Sequence, residues 1–411
     1  MGKILQYLIS ILIITIIIYK IKKDNFRNLK SLEPRLFLTA VICCAYYVTK
    51  AFYLIPIALL ILAEGGIKGE PVRCWLQKHS KLVDIAFLTS LFAHIFYLQL
   101  CTTLFYVSIR PGIIHTIFAG ACIFGGCRIL IGWNQTFSRR QAYLTLVLTI
   151  PMVLCWQHYQ YEFFIYLAIF LLGSLGLDYH KVLKGYIIVT SLFLVITFIA
   201  ACSGEITNLV YIASRSDGTK NIRSAMGICY PTDCAAYIFY LILALWIEYG
   251  QRYKWLITGL ATVFVIFVHK INNAQNSTIF LILLIVISVM VILYERFACN
   301  KAKVCRLVNV LLYLSAAAFP VCGLLMYRLT MHYGTIVDVN DMAQLNSMFH
   351  SRLDIGHQAI TNYGIHWFGN YYNQIGAGFS QTMPEGYNFI DSAYILLLVR
   401  YGILVSAAFV I

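Results

Sequence analysis

Arginine is well suited to bind phosphate, and three arginines are candidates for this role in the two polar segments that interrupt the apolar runs of this chain. Arg215 and Arg223 lie in 203–227, and Arg352 lies in 328–390. A guanidinium presents a planar fork of donors that matches phosphate oxygens, and it stays charged in a partly dry site. Two segments that each present an arginine could therefore clamp a diphosphate. The alternative is that these arginines bind lipid headgroups or single carboxylates.

Groups that could move a proton lie in or beside the same segments. Asp391 precedes the last apolar run, although an aspartate in that position can also cap a helix. Asp233 follows Pro231 at about one turn into an apolar run, where an ionisable group is a functional candidate by default. The larger segment adds His350, Asp354, His357 and His366. General acid or base chemistry could therefore take place near these segments.

Three of these groups could in principle hold zinc. If 348–361 forms one helix, His350, Asp354 and His357 share a face at positions i, i+4 and i+7. No fourth ligand is near them in the sequence, and a solvated helix face explains the spacing equally well. We therefore predict a site without a metal or other cofactor.

Aromatic rings alternate with amide side chains throughout 328–390. Flat rings can stack on the apolar faces of sugar rings while amides bond their hydroxyls, so this mixture is typical of a carbohydrate groove. Alternatively, the rings lie at the membrane interface, where Tyr and Trp are enriched, or on an interfacial helix. The rings are Tyr333, Phe349, Tyr363, Trp367, Phe368, Tyr371, Tyr372, Phe379, Tyr387 and Phe389.

The composition excludes a water-soluble chain. The 411 residues are 60% hydrophobic and 12% charged, with a mean hydropathy of +0.77, whereas soluble proteins carry about a quarter charged residues. The net charge of +14 comes from basic clusters between apolar runs, as the positive-inside rule predicts, so it does not indicate nucleic-acid binding. The 13 cysteines are spread through mostly apolar sequence and do not form a disulfide framework. We predict a polytopic membrane protein.

Apolar runs predict an all-α bundle of about thirteen transmembrane helices, formed by a single membrane domain over 1–411. Basic clusters on both sides of 36–64 favour two crossings there, and we expect the N-terminus outside. The run 4–19 is interpreted as a retained signal anchor, and because the last run ends without a flank, we expect the natural protein to continue. The other runs are 82–108, 112–132, 142–156, 161–177, 185–202, 228–248, 255–270, 278–294, 307–327 and 391–411.

On this topology the two polar segments become outer loops, and 328–390 is by far the larger. Function often lies in such loops. The sequence contains no glycine-rich phosphate loop, which argues against an enzyme driven by ATP or a nucleotide sugar. Two further arginines lie inside apolar runs. We expect Arg128 to extend to the cytoplasmic surface, and Arg400, about 13 Å from Asp391 along a helix, to face the bundle interior or water.

Two stretches resemble known sequence motifs. Arg223–Asp233, which reads R-S-A-M-G-I-C-Y-P-T-D, resembles an arginine, a glycine and then a His-Pro-Asn run, with Tyr230 in place of the histidine. Phe368-Gly369-Asn370, followed by 390–394 and by 401–403, resembles the close of a large loop and the helix after it. Together they resemble the Wzy-type polymerases of O-antigen, capsule and exopolysaccharide synthesis, within the wider O-antigen polymerase and ligase group.

The resemblance implies a GT-C-like glycosyltransferase of the cell membrane. Such an enzyme joins undecaprenyl-diphosphate-linked oligosaccharides at the outer face by inverting, metal-independent transfer, alongside a flippase and a chain-length regulator. The diphosphate would be bound by Arg223 and Arg352. In related ligases a histidine near the start of the helix after the large loop is the proposed base; this chain has Asp391 there, and His357 is the second candidate for that role. The other predicted substrate-binding residues are Arg215, Tyr230, Asp233 and Trp367.

Two alternatives remain open at this point. A ligase of the same group would share the topology and transfer glycan to another acceptor. A flippase for lipid-linked oligosaccharides is a transporter, and it would usually have short outer loops and charges along several helices, which this sequence lacks. The sugar, the linkage and the control of chain length cannot be read from the sequence.

Overall fold

The computed structural model of the chain describes residues 77–108, 112–132, 139–159, 162–214, 220–297, 318, 320–336, 338–349, 352–376 and 385–408. This part of the chain is mostly helical, with one two-stranded sheet. The predicted runs at 4–19 and 36–64, and the start of the run at 307–327, lie outside the described residues.

The helices and strands of the first half are α1 Ser80–Leu100, α2 Ile113–Gly132, α3 Arg139–Tyr159, α4 Glu162–Ser174, α5 Tyr179–Ser203, β1 Val210–Ser214 and β2 Lys220–Ser224. The second half contains α6 Pro231–Phe267, α7 Gln275–Phe297, α8 at 320–333, α9 Val339–Met348, α10 Arg352–Tyr363, α11 Ala393–Leu396 and α12 Gly402–Ala408. Leu104–Ser108 forms a 3₁₀ turn, and Val268–Asn272 and Leu397–Tyr401 form π-helical turns.

Contacts divide the chain into two compact units. The first comprises Met1–His94, Pro111–Val153 and Tyr161–Asp178, and the second comprises Ile95–Arg110, Leu154–Gln160 and Tyr179–Ile411. Helices α2 and α4 pack together in the first unit. In the second unit α6 packs against both α5 and α7, and β1 pairs with β2.

Within the described residues, four helical stretches are long and apolar enough to cross a membrane. They are Ser80–Leu100, Tyr179–Ser203, Pro231–Asn272 and Gln275–Leu293, and shorter apolar helices occur at Ile113–Arg128, Val147–Trp156, Phe163–Ser174 and Ala393–Ala408. Each coincides with a run predicted from the sequence. The structure thus agrees with a helical membrane protein, while the thirteen crossings and their orientation stay predictions.

Helix α5 shows how one helix serves both the core and lipid. Thr190, Phe193 and Thr197 are buried in the interior of the second unit, to which α5 belongs. Ile188 and Ile199, in contrast, are 59% and 63% exposed. Exposed apolar side chains also occur at Leu192, Val195 and Ile196. An exposed apolar stripe of this length is rare on a soluble monomer but matches a bilayer, where helices associate through close packing rather than through the hydrophobic effect.

The stretch Pro231–Asn272 folds back on itself. A straight helix of its 42 residues would be about 63 Å long. Yet Asn272 Nδ2 donates to the carbonyl of Ser224 at 2.9 Å, and Ser224 lies only seven residues before Pro231, a reach of at most about 25 Å. The reversal lies at Tyr253, whose backbone is non-helical (φ −123°, ψ 31°). The sequence had predicted separate runs at 228–248 and 255–270, which agrees with this turn.

The first unit is organised around the buried cation of Arg128. Its Nη1 donates to the carboxylate of Asp84, Nε donates to the carbonyl of Gly173 at 2.6 Å, and Nη2 donates to that of Leu175 at 2.9 Å. The two carbonyls lie at the end of α4, where helical carbonyls lack partners within the helix. The prediction that Arg128 extends to the membrane surface is wrong, because its side chain is 8% exposed and points into this cap.

Replacing Arg128 with Met should destabilise the protein by roughly 3–5 kcal/mol, because it leaves the Asp84 charge and two helix carbonyls without their partner. The change would be measured as a lower midpoint of thermal unfolding in detergent. Lys81→Met, at an exposed position on α1, is the matched control and should change stability by no more than about 0.5 kcal/mol. Equal midpoints for Arg128→Met and the wild type would contradict a stabilising role.

Candidate functional site

A short β-ribbon carries the first site residues, and the all-α prediction did not foresee it. Strands β1 and β2 are antiparallel, with Tyr211 opposite Arg223 and Ile212 opposite Ile222. Directly opposed residues share a face of the ribbon. Tyr211 and Arg223 therefore lie on one face, while Ile212 and Ile222, 65% and 57% exposed, lie on the other. Arg215, the other predicted arginine of this loop, lies outside the described residues.

Arg223 is held by the π-helical turn that follows α6. Its Nε donates to the backbone carbonyl of Asn272 at 3.2 Å, and the Asn272 amide in turn holds Ser224. This bond uses Nε, so the two terminal nitrogens are the ones that could meet an anion. Partial burial lowers the pKa of the Arg223 guanidinium, which nevertheless stays charged at neutral pH.

The turn between β2 and α6 explains the glycine of the first motif. Met226 and Gly227 both have left-handed backbones, with φ values of 53° and 82°. Asn208 stabilises the turn, since its Oδ1 accepts from the Met226 amide at 2.8 Å and from the Ser224 hydroxyl at 3.0 Å. A Cβ on Gly227 would lie 2.7 Å from the side chain of Ile206. Glycine is therefore required here both by conformation and by space.

The turn places Tyr230 on Tyr211. Their rings stack with centroids 5.7 Å apart and planes 17° apart. The Tyr211 hydroxyl donates to the carbonyl of Cys229 at 2.6 Å, which fixes that ring. Pro231 then begins α6, with Asp233 in its first turn. The second half of the first motif thus carries one ring of an aromatic pair, Tyr230, and a carboxylate three residues later, Asp233.

The end of the large loop comes to the same place. Burial raises the pKa of Tyr230, and Tyr211, Tyr387, Asp233 and Asp391 raise it further, so the phenol stays protonated. An electrostatic effect of this kind requires that these groups lie close to one another. The charges of Tyr387 and Asp391, from the end of the large loop, therefore act on Tyr230, although these residues are far apart from it in the sequence.

Arg352 and Asp391 form the charged part of this site. Asp391 is exposed as a whole residue, but partial desolvation of its carboxyl raises the pKa, and the positive charge of Arg352 lowers it in opposition. Arg352 begins α10 and is half-buried, and its Nε has no hydrogen-bond partner among the described residues. Arg352 offers an unused donor to an anion, and the carboxyl of Asp391, whose pKa is raised, can accept a proton.

A broken helix anchors this end of the loop. The helical stretch that starts at Ala393 passes through a π-turn and breaks at Gly402, where φ is 82° and ψ is 173°. The amides of Ile403 and Leu404, just past the break, donate to the carbonyls of His366 and Trp367, both at 3.1 Å. The loop thus supplies the acceptors that a continuous helix would have supplied.

Asn370 completes the connection from the loop side. Its side-chain amide donates to the carbonyls of Gly364 at 3.0 Å and Val399 at 3.2 Å, and its backbone amide donates to the carbonyl of Arg400 at 3.3 Å. Gly369 has φ +81°, and a Cβ there would collide with the Arg400 carbonyl. The Phe368-Gly369-Asn370 and Tyr401-Gly402-Ile403 motifs are therefore the two halves of one backbone contact.

Arg400 lies against the same loop. Its Nη1 donates to Oε1 of Gln374 at 3.1 Å, and its guanidinium lies 5.7 Å from the centre of the Tyr401 ring. The residue is half-buried. The alternative that Arg400 faces the protein interior agrees with these contacts.

Two predicted residues lie elsewhere. His357 packs against Gly334 and meets the Tyr333 ring at 6.2 Å between centroids, and its described contacts include neither Asp391 nor Arg352. Trp367 is 63% exposed on the loop surface. Electrostatic interactions thus link Tyr230 to Asp233 and Asp391, and Asp391 to Arg352, while Arg223 lies opposite Tyr211 on the ribbon.

The helix that would have lined up three metal ligands is interrupted. Helix α9 ends at Met348 and α10 begins at Arg352, so 348–361 is not one helix. His350 lies outside the described residues. Within the part of the chain that the structure describes, no group of three or more His, Cys, Asp or Glu side chains could hold a metal ion.

Sequence reasoning missed Tyr211 and Asn272, and it named Tyr387 only as one of the rings of the large loop. Tyr211 and Tyr387 belong to a chain with 29 tyrosines, and only pairing with Arg223 or closeness to Asp391 distinguishes them. Asn272 acts through its backbone carbonyl and depends on the reversal of α6. The ribbon itself had one usable signal, since tyrosine and isoleucine favour strands.

Comparison with protein-family models, curated proteins and solved structures finds no match to this chain. The resemblance to Wzy-type polymerases therefore rests on the two motifs and stays a prediction.

Gly402→Ala should destabilise the protein by at least about 1–2 kcal/mol, because alanine is strained at this left-handed backbone and its Cβ would collide with the amide of Gly369. Thermal unfolding in detergent measures the effect. Gly259→Ala is the control, since a Cβ at this helical position meets nothing within 4 Å; it should stabilise by roughly 0.5–1 kcal/mol. Similar effects of the two substitutions would contradict the backbone contact described above.

Proposed function

We propose that this chain is a membrane polysaccharide polymerase. It joins undecaprenyl-diphosphate-linked oligosaccharide repeat units by inverting glycosyl transfer at the outer face of the cell membrane. The observation that carries the proposal is the electrostatic interaction of Tyr230 with Asp233 and Asp391, because these three residues belong to the two stretches that resemble Wzy-type polymerases. Asp391 in turn interacts with the charge of Arg352. The apolar helices support a site next to lipid.

The leaving group determines what the arginines do. In the reaction the bond between the anomeric carbon and the phosphate oxygen breaks, and undecaprenyl diphosphate departs with the electron pair. Negative charge grows on that oxygen, and a fixed guanidinium nearby stabilises it. Arg352 has an unused buried donor for this role, and Arg223 is fixed through Nε with its terminal nitrogens left to donate.

The acceptor hydroxyl must lose a proton as its oxygen attacks the opposite face of the anomeric carbon. Asp391 is the proposed base. Its pKa is raised by burial and lowered by Arg352, and a base whose pKa lies closer to the working pH takes a proton more effectively. His357, the second candidate, lies against Gly334 instead. The reaction balances with these groups and needs no metal.

The remaining predicted groups would hold the substrate in place. Trp367 and Tyr371, 63% and 69% exposed on the loop that packs on the broken helix, could stack on sugars of the chain. The polyprenyl tail would lie in the bilayer along apolar helix faces such as that of α5. A flippase would deliver the repeat units, and a chain-length regulator would act as a partner.

The product in cells tests this function. A gel of lipid-linked glycans from cells that lack the gene should show single repeat units at the outer face and no ladder. Wild type and Arg252→Ala, at an exposed position away from the site, should restore the ladder. Arg352→Ala and Asp391→Asn should not, and Arg352→Lys should restore little, because lysine cannot reproduce the bidentate geometry.

Other products would overturn the proposal. Repeat units trapped on the cytoplasmic side would indicate a flippase, and normal polymer that never reaches its final acceptor would indicate a ligase. A full ladder with Arg352→Lys would remove the clamp role, and a full ladder with Asp391→Asn would remove the base.

The pH dependence of the rate tests the pairing of Arg352 with Asp391. A base must be deprotonated, so the rate should fall as the pH falls through the pKa of Asp391, which burial raises and Arg352 lowers. Arg352→Gln removes the lowering charge, so the acid limb of its residual activity should move to higher pH. Arg352→Lys keeps the charge and should leave the limb in place. A limb unmoved in Arg352→Gln would contradict the coupling.

A further inference from the structure

The stacked rings of Tyr211 and Tyr230 have no role in the mechanism above. They are half-buried, so each contributes surface to the site as well as to the protein. The bond from the Tyr211 hydroxyl to Cys229 fixes one ring, and the stack fixes the other. A pair of fixed, partly open rings is a flat apolar platform of the kind on which the apolar face of a sugar can lie.

Carboxylates lie beside this platform. Asp233 is in the first turn of α6, three residues after Tyr230, and Asp391 and Tyr387 approach from the end of the large loop. Ionised carboxylates accept hydrogen bonds only, and sugar hydroxyls are donors that can fill two oxygens at once. The group of rings and carboxylates therefore matches a neutral sugar more closely than it matches a diphosphate, which two carboxylates would repel.

We propose that Tyr211, Tyr230 and Asp233 form the subsite for the acceptor sugar, the terminal residue of the repeat unit that receives the chain. This assignment rests on the proposed function. The donor must place its diphosphate at the arginines, whereas the acceptor must present a hydroxyl to Asp391. A sugar stacked on Tyr230 would present its hydroxyl to Asp391, whose charge acts on the Tyr230 phenol. Asp233 orients the ring by binding its other hydroxyls.

Two probes separate the subsite from the diphosphate clamp. The first is the free repeat-unit oligosaccharide, released from its lipid by mild acid, which lacks a diphosphate and can bind only as a sugar. The second is undecaprenyl diphosphate without sugar. Binding of each to the purified full chain in detergent would be measured for the wild type and for the variants below.

Tyr211→Leu, Tyr230→Leu and Asp233→Asn should each weaken oligosaccharide binding at least about tenfold, the effect of losing roughly one stacking or charge-assisted contact. Undecaprenyl diphosphate should bind these variants as it binds the wild type. Tyr230→Phe keeps the ring and should keep oligosaccharide binding. Arg352→Ala should show the reverse pattern and lose only the diphosphate. Tyr240→Leu, at an exposed tyrosine on α6, is the matched control and should bind both.

Each of the other outcomes contradicts either the acceptor subsite or the proposed function. If the tyrosine variants bind the oligosaccharide as the wild type does, while Arg352→Ala loses undecaprenyl diphosphate, the subsite is wrong and the proposed function stands. If the tyrosine variants lose both probes, the ring pair only supports the fold, and the subsite is again wrong. If the wild type binds neither probe, the proposed function falls, and the subsite falls with it.

Discussion

A peptide group inside a bilayer cannot turn to water, so every backbone amide and carbonyl near a break in a helix needs a partner within the protein. The break at Gly402 meets this constraint by taking its partners from the loop, at His366, Trp367 and Asn370. The end of the loop is thereby fixed against the broken apolar helix. Asp391, which lies between the loop and this helix, is brought to the first motif as part of the same arrangement.

The second fixed point is the π-helical turn that follows α6. Asn272 joins the returning helix to the end of β2, and the same residue holds Arg223. One side of the site is thus built on α6 and the ribbon, and the other on α10 and the broken helix. The charge of Arg352 opposes the effect of desolvation on Asp391, whose pKa nevertheless stays raised.

The sequence predicted the parts of this structure that depend on local pattern. Apolar runs located α1, α5, α6 and α7, and the polar gap after residue 248 located the turn at Tyr253. The residues of both motifs also meet, as a common site would require. The sequence pattern did not predict contacts between residues that are far apart in the chain. Arg128 has its partner Asp84 in another helix. The ribbon likewise depends on pairing between strands that a loop separates, with Tyr211 opposite Arg223.

The contact between the loop and the broken helix has an entropic consequence. Ordering a free backbone costs about 1–2 kcal/mol per residue, and a disordered loop would lose that free energy each time it closed on a ligand. Here hydrogen bonds at His366, Trp367 and Asn370 have already ordered the segment that displays the exposed rings of Trp367 and Tyr371. Under the proposed function, a glycan that met this segment would find its shape set in advance, and more of the contact energy would be left for affinity.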